Sequence, residues 1–267
     1  MSNTATVLAF DFGASSGRAI RAVYDGQNLT YEEIHRFENV PIEKEGHLCW
    51  DVETLLKEIH TAIQKAGTFD SLGFDTWGVD FGLLDADGHL LANPVHYRDA
   101  RTNGKPEQAA ARMPAEELYA HTGNQIMAIN TLFQLLALRE QDPELLQKAA
   151  QILFMPDLFA ALLGAEPVCE RSIASTSQML DPRTGQWSRE VLAAYGLNAN
   201  RFAPLVASGT VTGTLANGAK IIAVAGHDTQ CASAAMPCAE EDAEHTAFLS
   251  CGTWSLLGTE LDAPILT

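Results

Sequence analysis

The stretch VLAFDFGASSGRAIRAVYD, Val7 to Asp25, constrains the fold more than any other part of the chain. An apolar run ends in an aspartate, two glycines enclose two serines, and a second alternating run follows at once. Ile20, Ala22 and Tyr24 fall on one face of an extended chain, Asp25-Gly26 is a hairpin signal, and Leu29, Tyr31, Glu33, His35 and Phe37 alternate again. The glycine loop is therefore a strand-to-strand turn, and the chain opens as a meander. A Gly-Lys-Ser/Thr nucleotide loop is excluded, because Arg18 and Ala19 follow Gly17. A dinucleotide fingerprint is excluded as well, because Gly13 and Gly17 do not give G-x-G-x-x-G. The amides and hydroxyls of such a turn can still hold phosphate oxygens, without a helix dipole or a lysine behind them.

Downstream, Asp51 is placed to cap a helix whose apolar face uses Leu55, Leu56, Ile59 and Ile63, with Gly67 as its stop. A strand at Leu72 to Asp75 and a hairpin turning at Asp87-Gly88 follow. Lys105 to Leu163 reads as mainly helical, and Pro167 to Trp187 as loops, with Asp99 and Arg101 forming an exposed ion pair. IIAVAG, Ile221 to Gly226, is a buried strand by composition, and HDTQCASAAM then enters a helix. FLSCGTWSLLG, Phe248 to Gly258, repeats the opening device of apolar strand, glycine turn with a hydroxyl residue, and second apolar strand.

With 46% hydrophobic residues the chain can bury a large core. Seventeen basic against 34 acidic residues leave a net charge of −17, which opposes binding to nucleic acid or an anionic membrane. No apolar segment reaches the ~18 residues of a membrane span. The N-terminus lacks the basic region of a signal peptide. The five cysteines show no CxxC pairing and read as reduced, mostly buried thiols of a cytoplasmic protein.

Taken in order, DFGASSGR (Asp11 to Arg18), GFDTWGVDFGLLD (Gly73 to Asp85), YRDARTNG (Tyr97 to Gly104), GHDT (Gly226 to Thr229) and SCGTWSLLG (Ser250 to Gly258) resemble the N-terminal half of the FGGY carbohydrate kinases. The resemblance spans nearly the whole chain. It implies an α/β fold of the ribonuclease-H-like, actin- and hexokinase-type ATPase class, a mixed sheet flanked by helices. By the same comparison, residues 1–244 are the first domain and residues 245–267 the opening hairpin of a second, with the active site in the cleft between them. The implied reaction is ATP-dependent phosphorylation of a ketose in the presence of Mg²⁺. The DTWGVDF segment points to L-rhamnulose, giving L-rhamnulose 1-phosphate. Another sugar such as L-fuculose, or a non-catalytic sugar-binding or regulatory domain, are the alternatives.

Carried over residue by residue, the resemblance places Asp11 near Mg²⁺, generally through water. Ala14, Ser15, Ser16, Gly17 and Arg18 lie near the ATP phosphates, and Thr253 touches ATP from the second glycine turn. Gly78, His227, Asp228 and Thr229 line the sugar, with Asp228 as the base. Bland readings stand beside these. Asp228 falls at a helix N-terminus, where the dipole favours a carboxylate and where Asp is a preferred cap. Asp11 can equally bond its own turn amides, Ser15 and Ser16 can be plain turn residues, Gly78 can be a conformational glycine, and Trp77 a packing aromatic.

Overall fold

The alternation of the opening segment produces three antiparallel strands, β1 (Ala5–Phe12), β2 (Ser16–Tyr24) and β3 (Leu29–Glu38), in a computed structural model that describes residues 4–239, 242, 245–251 and 255–267. β1 turns Leu8, Phe10 and Phe12 inward. On β2 a register shift between Ala19 and Ile20 changes which residues face the core. Gly17, Ala19 and Ala22 are therefore buried, whereas Ile20 is half-buried and Tyr24 exposed, unlike the single face expected. β3 is the sheet's edge, and of its alternating set only Phe37 is buried.

Helix α1 (Val52–Ala66) starts where the sequence places it, with the Asp51 carboxylate accepting from Thr54 N at 3.1 Å, and stops at Gly67, whose φ is 66°. Its Val52, Leu55 and Ile59 are fully buried, each contributing about 1.5–3 kcal/mol of apolar burial. Strand β4 (Ser71–Thr76) then enters the sheet parallel to β1.

The middle of the chain departs from expectation. β5 (Phe81–Leu84) makes only a single bridge across the Asp87-Gly88 turn, Leu84 to Leu90. Beyond helix α2 (Thr131–Gln141), it pairs antiparallel with β6 (Gln151–Phe154), inside the region read as helical. QILF is a four-residue apolar run, which periodicity cannot assign to strand or helix. Helix α3 (Met155–Leu162) follows, and the stretch read as loops holds a short helix, α4 (Arg171–Ala174).

Strands β7 (Thr210–Thr214) and β8 (Lys220–Ala223) complete the main sheet. Its order is β7-β8-β4-β1-β2-β3, with β8, β4 and β1 mutually parallel. Helix α5 (Asp228–Ala234) leads from β8 toward the hairpin of β9 (Ala247–Cys251) and β10 (Ser255–Thr259), which among the described residues pairs only with itself. The architecture is thus the mixed, helix-flanked sheet expected.

Two hydrophobic cores result. One packs around the main sheet, where Phe12 stacks on Phe159 at 4.8 Å and Phe10 on Phe74 at 4.8 Å. The other surrounds α2. Of the cysteines, Cys49 and Cys169 are buried, Cys231 partly so, and Cys238 and Cys251 exposed, fewer inside than expected; all are free. The Asp99–Arg101 ion pair does not form. Arg101 sends its guanidinium to Gln134 Oε1 at 2.8 Å, and Asp99 accepts instead from the amides of Leu48 and Arg101. Among the described residues no helix is long and apolar enough to cross a membrane.

Candidate active site

Parallel strands leave a crevice beyond their carboxyl ends, and here β8, β4 and β1 end side by side. Asp11 is the penultimate residue of β1 and its register partner on β4 is Asp75. Beyond β8 the backbone continues alongside β4, with Thr76 N donating to Gly226 O at 2.9 Å and a bridge from Thr76 to His227. Asp228 then opens α5, whose N-cap is His227. Asp228 is therefore the first helical residue and not the N-cap. Its Oδ1 accepts from Thr229 N at 2.6 Å and lies 3.4 Å from His227 Nε2.

A cleft of about 550 Å³ opens at these strand ends, lined by Asp11, Ala14, Gly78, His227, Asp228 and Thr229 among others. Those expected site residues come together from three separate segments. Ser15, Ser16, Gly17 and Arg18 do not line the cleft: Ser15 and Arg18 are exposed at the turn beside it, and Gly17 is buried. A β-carbon on Gly17 would come within 2.3 Å of the Phe37 ring, so this glycine serves packing directly. Arg18 bonds Asp11 Oδ2 through Nε at 2.8 Å and through its terminal nitrogen at 2.5 Å. The turn itself is held by Gly13 N to Ser16 O and by Asn39, which donates to Ser15 O and Gly13 O. Among the described residues the amides of Ala14 and Ser15 have no acceptor. Thr253 lies outside the described residues.

Three features of the site were not anticipated from sequence. Asp75 is mostly buried, and burial, reinforced by the charges of Asp11 and Asp228, pushes its carboxyl up to about 8. The Cys231 thiol sits beside it, itself pushed up to about 12 by burial and by the Asp75 charge, and is thus an inert thiol at neutral pH. Asp80 is fully buried beneath the cleft floor and accepts from Trp50 Nε1 at 2.7 Å, Trp77 Nε1 at 3.0 Å, Tyr97 N at 3.1 Å and Gln134 Nε2 at 2.8 Å. Burial raises its carboxyl to about 6 against the pull of those donors. Trp77 is consequently both a packing aromatic and a cleft wall.

Val79, also in the wall, has φ 67°, which a β-branched residue adopts at a cost of about 1–3 kcal/mol. Its N–H donates to Thr176 Oγ1 at 3.0 Å and its carbonyl accepts from Thr131 Oγ1 at 2.6 Å, which hold it there. Gly78 has no room for a side chain: a β-carbon would meet Thr176 Cγ2 at 3.0 Å and His227 Nε2 at 3.3 Å. Burial keeps the His227 imidazole below its ordinary range, so it is neutral at pH 7, and its Nδ1 is buried without a partner among the described residues.

Residues 6–234 match the model of the FGGY family of carbohydrate kinases, N-terminal domain. A rhamnulokinase of Bacteroides thetaiotaomicron is 42% identical over 97% of this chain, which spans 56% of that protein. Among solved structures, a carbohydrate kinase from Novosphingobium aromaticivorans superposes with a TM-score of 0.83 at 21% identity, over 100% of this chain and 58% of that one. The ligand-bound xylulose kinase from Lactobacillus acidophilus gives 0.74 at 17% identity, over 85% of this chain and 49% of that one. At such identities the structural likeness shows the fold.

Proposed function

The chain belongs to the FGGY family of carbohydrate kinases, and on that premise we propose that the protein carrying it phosphorylates L-rhamnulose at its C1 hydroxyl with ATP. The observation that carries the reading is the convergence of Asp11, Gly78 and His227 to Thr229 on one cleft. The choice of sugar rests on the likeness to a rhamnulokinase.

Phosphoryl transfer to an alcohol requires mainly positioning and neutralisation of charge. Asp228 is the base. Thr229 and His227 occupy its Oδ1, which leaves Oδ2 to take the proton of the sugar hydroxyl as the bond to phosphorus forms. Neutral His227 and the backbone of Gly78 orient the sugar. The free amides of Ala14 and Ser15, the hydroxyls of Ser15 and Ser16, and Arg18 at the rim contact the phosphates, with Thr253 completing the set from the second glycine turn.

The residues present fit a hydrated Mg²⁺. Burial, reinforced by the nearby charges of Asp11 and Asp228, displaces the Asp75 titration, and a cation among these carboxyls would relieve the repulsion. They are not a direct three-residue cage: among the described residues the only three such groups with ligand atoms within 4.8 Å of one another are Asp85, Asp87 and His89 on an exposed turn. Asp11 would hold the ion through water, and the ion would neutralise phosphate charge.

The test is a coupled ADP assay of the intact enzyme over L-rhamnulose, L-fuculose, D-xylulose and glycerol, with Asp228→Asn beside the parent. L-rhamnulose is expected to give the highest kcat/KM. The variant is expected to lose at least about a hundredfold in kcat, the usual worth of a general base, with sugar KM and melting temperature little changed. Better turnover of another sugar would overturn the substrate; a variant within about tenfold of the parent would overturn the base.

A further inference from the structure

Glu170 is 2% exposed and pairs with no Lys or Arg among the described residues. Its charge is met entirely by hydrogen-bond donors. Oε2 accepts from Ser172 N at 2.9 Å, Ser172 Oγ at 2.5 Å, Ile173 N at 3.3 Å and Gly226 N at 3.0 Å, while Oε1 accepts from Ser208 Oγ at 2.6 Å. A buried carboxylate without a cation is tolerated only when such donors are held in place. They come from its own helix α4, from the loop before β7, and from the GHDT segment 56 residues away.

Gly226 is pinned on both sides. Its N–H goes to Glu170 and its carbonyl receives Thr76 N, and a β-carbon there would lie 2.9 Å from Pro156 Cγ, so nothing larger lets the amide approach. His227 N also reaches Ser172 Oγ, at 3.4 Å. The helix that Glu170 caps runs into a 3₁₀ turn, Ser175–Ser177, that carries Thr176, whose hydroxyl bonds Ile173 O at 2.7 Å and receives the strained Val79 amide, and whose methyl fills the space beside Gly78. One carboxylate thus ties the backbone that leads into Asp228 to the turn that faces it across the cleft.

We propose that Glu170 is the positioning residue of the sugar site, fixing the backbone that leads into Asp228 directly at Gly226 and the Gly78–Val79 turn through α4 and the 3₁₀ turn that follows it. The proposal deepens the kinase reading and rests on it for its kinetic consequence. The competing role is a plain helix cap, satisfied by the Ser172 and Ile173 amides alone.

Glu170→Asp separates the two roles. Aspartate keeps the charge and is a preferred cap, but it is one methylene short of Gly226. Glu170→Gln replaces one acceptor oxygen by a donor that faces other donors. The measurements are hydrogen–deuterium exchange of a peptide covering Ile221–Cys231, with one covering α1 as the remote control, and kcat and KM of the intact enzyme. For Glu170→Asp, exchange over Gly226–Thr229 is expected to rise about tenfold or more with α1 unchanged. Its kcat is expected to fall by about 10- to 100-fold, the scale of a small misplacement of reacting groups, while KM moves much less. Glu170→Gln should do the same more strongly. Unaltered exchange in the Asp variant, a uniform rise that includes α1, or looser exchange with kcat intact would each overturn the proposal. If the parent phosphorylates no ketose, the kinase reading fails separately, and the exchange comparison still decides whether Glu170 holds this backbone.

Discussion

Asp75 is the residue at which fold and chemistry pull hardest against each other. β4 must enter the sheet beside β1 for Asp11 and Asp228 to share a cleft, and that places a third carboxyl where burial and both neighbours oppose its charge. Its folded pKa of about 8 lies above the unfolded value of 3.8, so the proton is bound more tightly in the folded state. The stabilisation this represents is complete below about pH 4 and is lost as pH rises through 8. Asp75→Asn, which cannot ionise, should therefore raise the melting temperature of the metal-free chain progressively between pH 4 and pH 8. A gain of about 3–10 °C at pH 8 is expected, taking a kcal/mol as about 2–4 °C for a chain of this size, with little gain at pH 4. Differential scanning fluorimetry across that range checks it; a gain independent of pH would assign the effect to packing. No local pattern hints at this behaviour. Asp75 sits in a motif whose resemblance drew attention to Gly78, and only the parallel register of β1 and β4 brings it to Asp11.

Among elements, the meander, α1 with its Asp51 cap, β8 and the turn into α5 were legible because each carries a local signal: alternation, a capping residue with a glycine stop, or an apolar run before a polar helix start. What stayed illegible depends on long-range pairing. β6 looks helical until β5 is found beside it, and α4 is short enough to leave no periodicity. Glu170 acts on Gly226 only through the fold, so no local pattern could mark it. The site residues were reached through ordered motifs, and geometry places six of them on the cleft while leaving Ser15, Ser16, Gly17 and Arg18 off its lining. Two antiparallel strand pairs also share a device. Gly17 faces Phe37 and Gly258 faces Phe248 across antiparallel pairs, and in each a β-carbon would come within 2.3 Å of the ring. The same substitution should nevertheless differ in cost. Gly17→Ala forces Phe37 out of the main core, an overpacking penalty of about 1–3 kcal/mol, whereas Gly258→Ala disturbs a hairpin outside both cores. Melting temperatures of the two variants measure the contrast, and an equal loss would mean that the hairpin shares the cooperative unit.

For the whole molecule, the contrast between a well-packed body and its last hairpin decides what the hairpin is for. Among the described residues none beyond 244 belongs to either core, and Leu249, Leu257, Leu261 and Ile265 are each more than half exposed. Apolar surface left in water contributes nothing to stability, so β9 and β10 are not there to hold the body together. They do reach the cleft, where Ser250 and Leu256 form part of its lining, and the tail touches the body again through Tyr119 OH to Ile265 O at 3.2 Å. They stand at the edge of the site. A chain ending at Ala239 should melt within about 2 °C of the 267-residue chain, the shift that less than about 1 kcal/mol produces at this size, and it should retain the β1–β2 turn, Gly78 and the His227–Thr229 run in place. Ketose binding, followed by calorimetry on both chains, should weaken by no more than about tenfold, since most of the proposed sugar contacts survive and the loss of one cleft wall is worth about 1.4 kcal/mol or less. A fall of many degrees in melting temperature would show that the hairpin completes the fold, and abolished sugar binding with the fold intact would move it from the wall of the site to its centre.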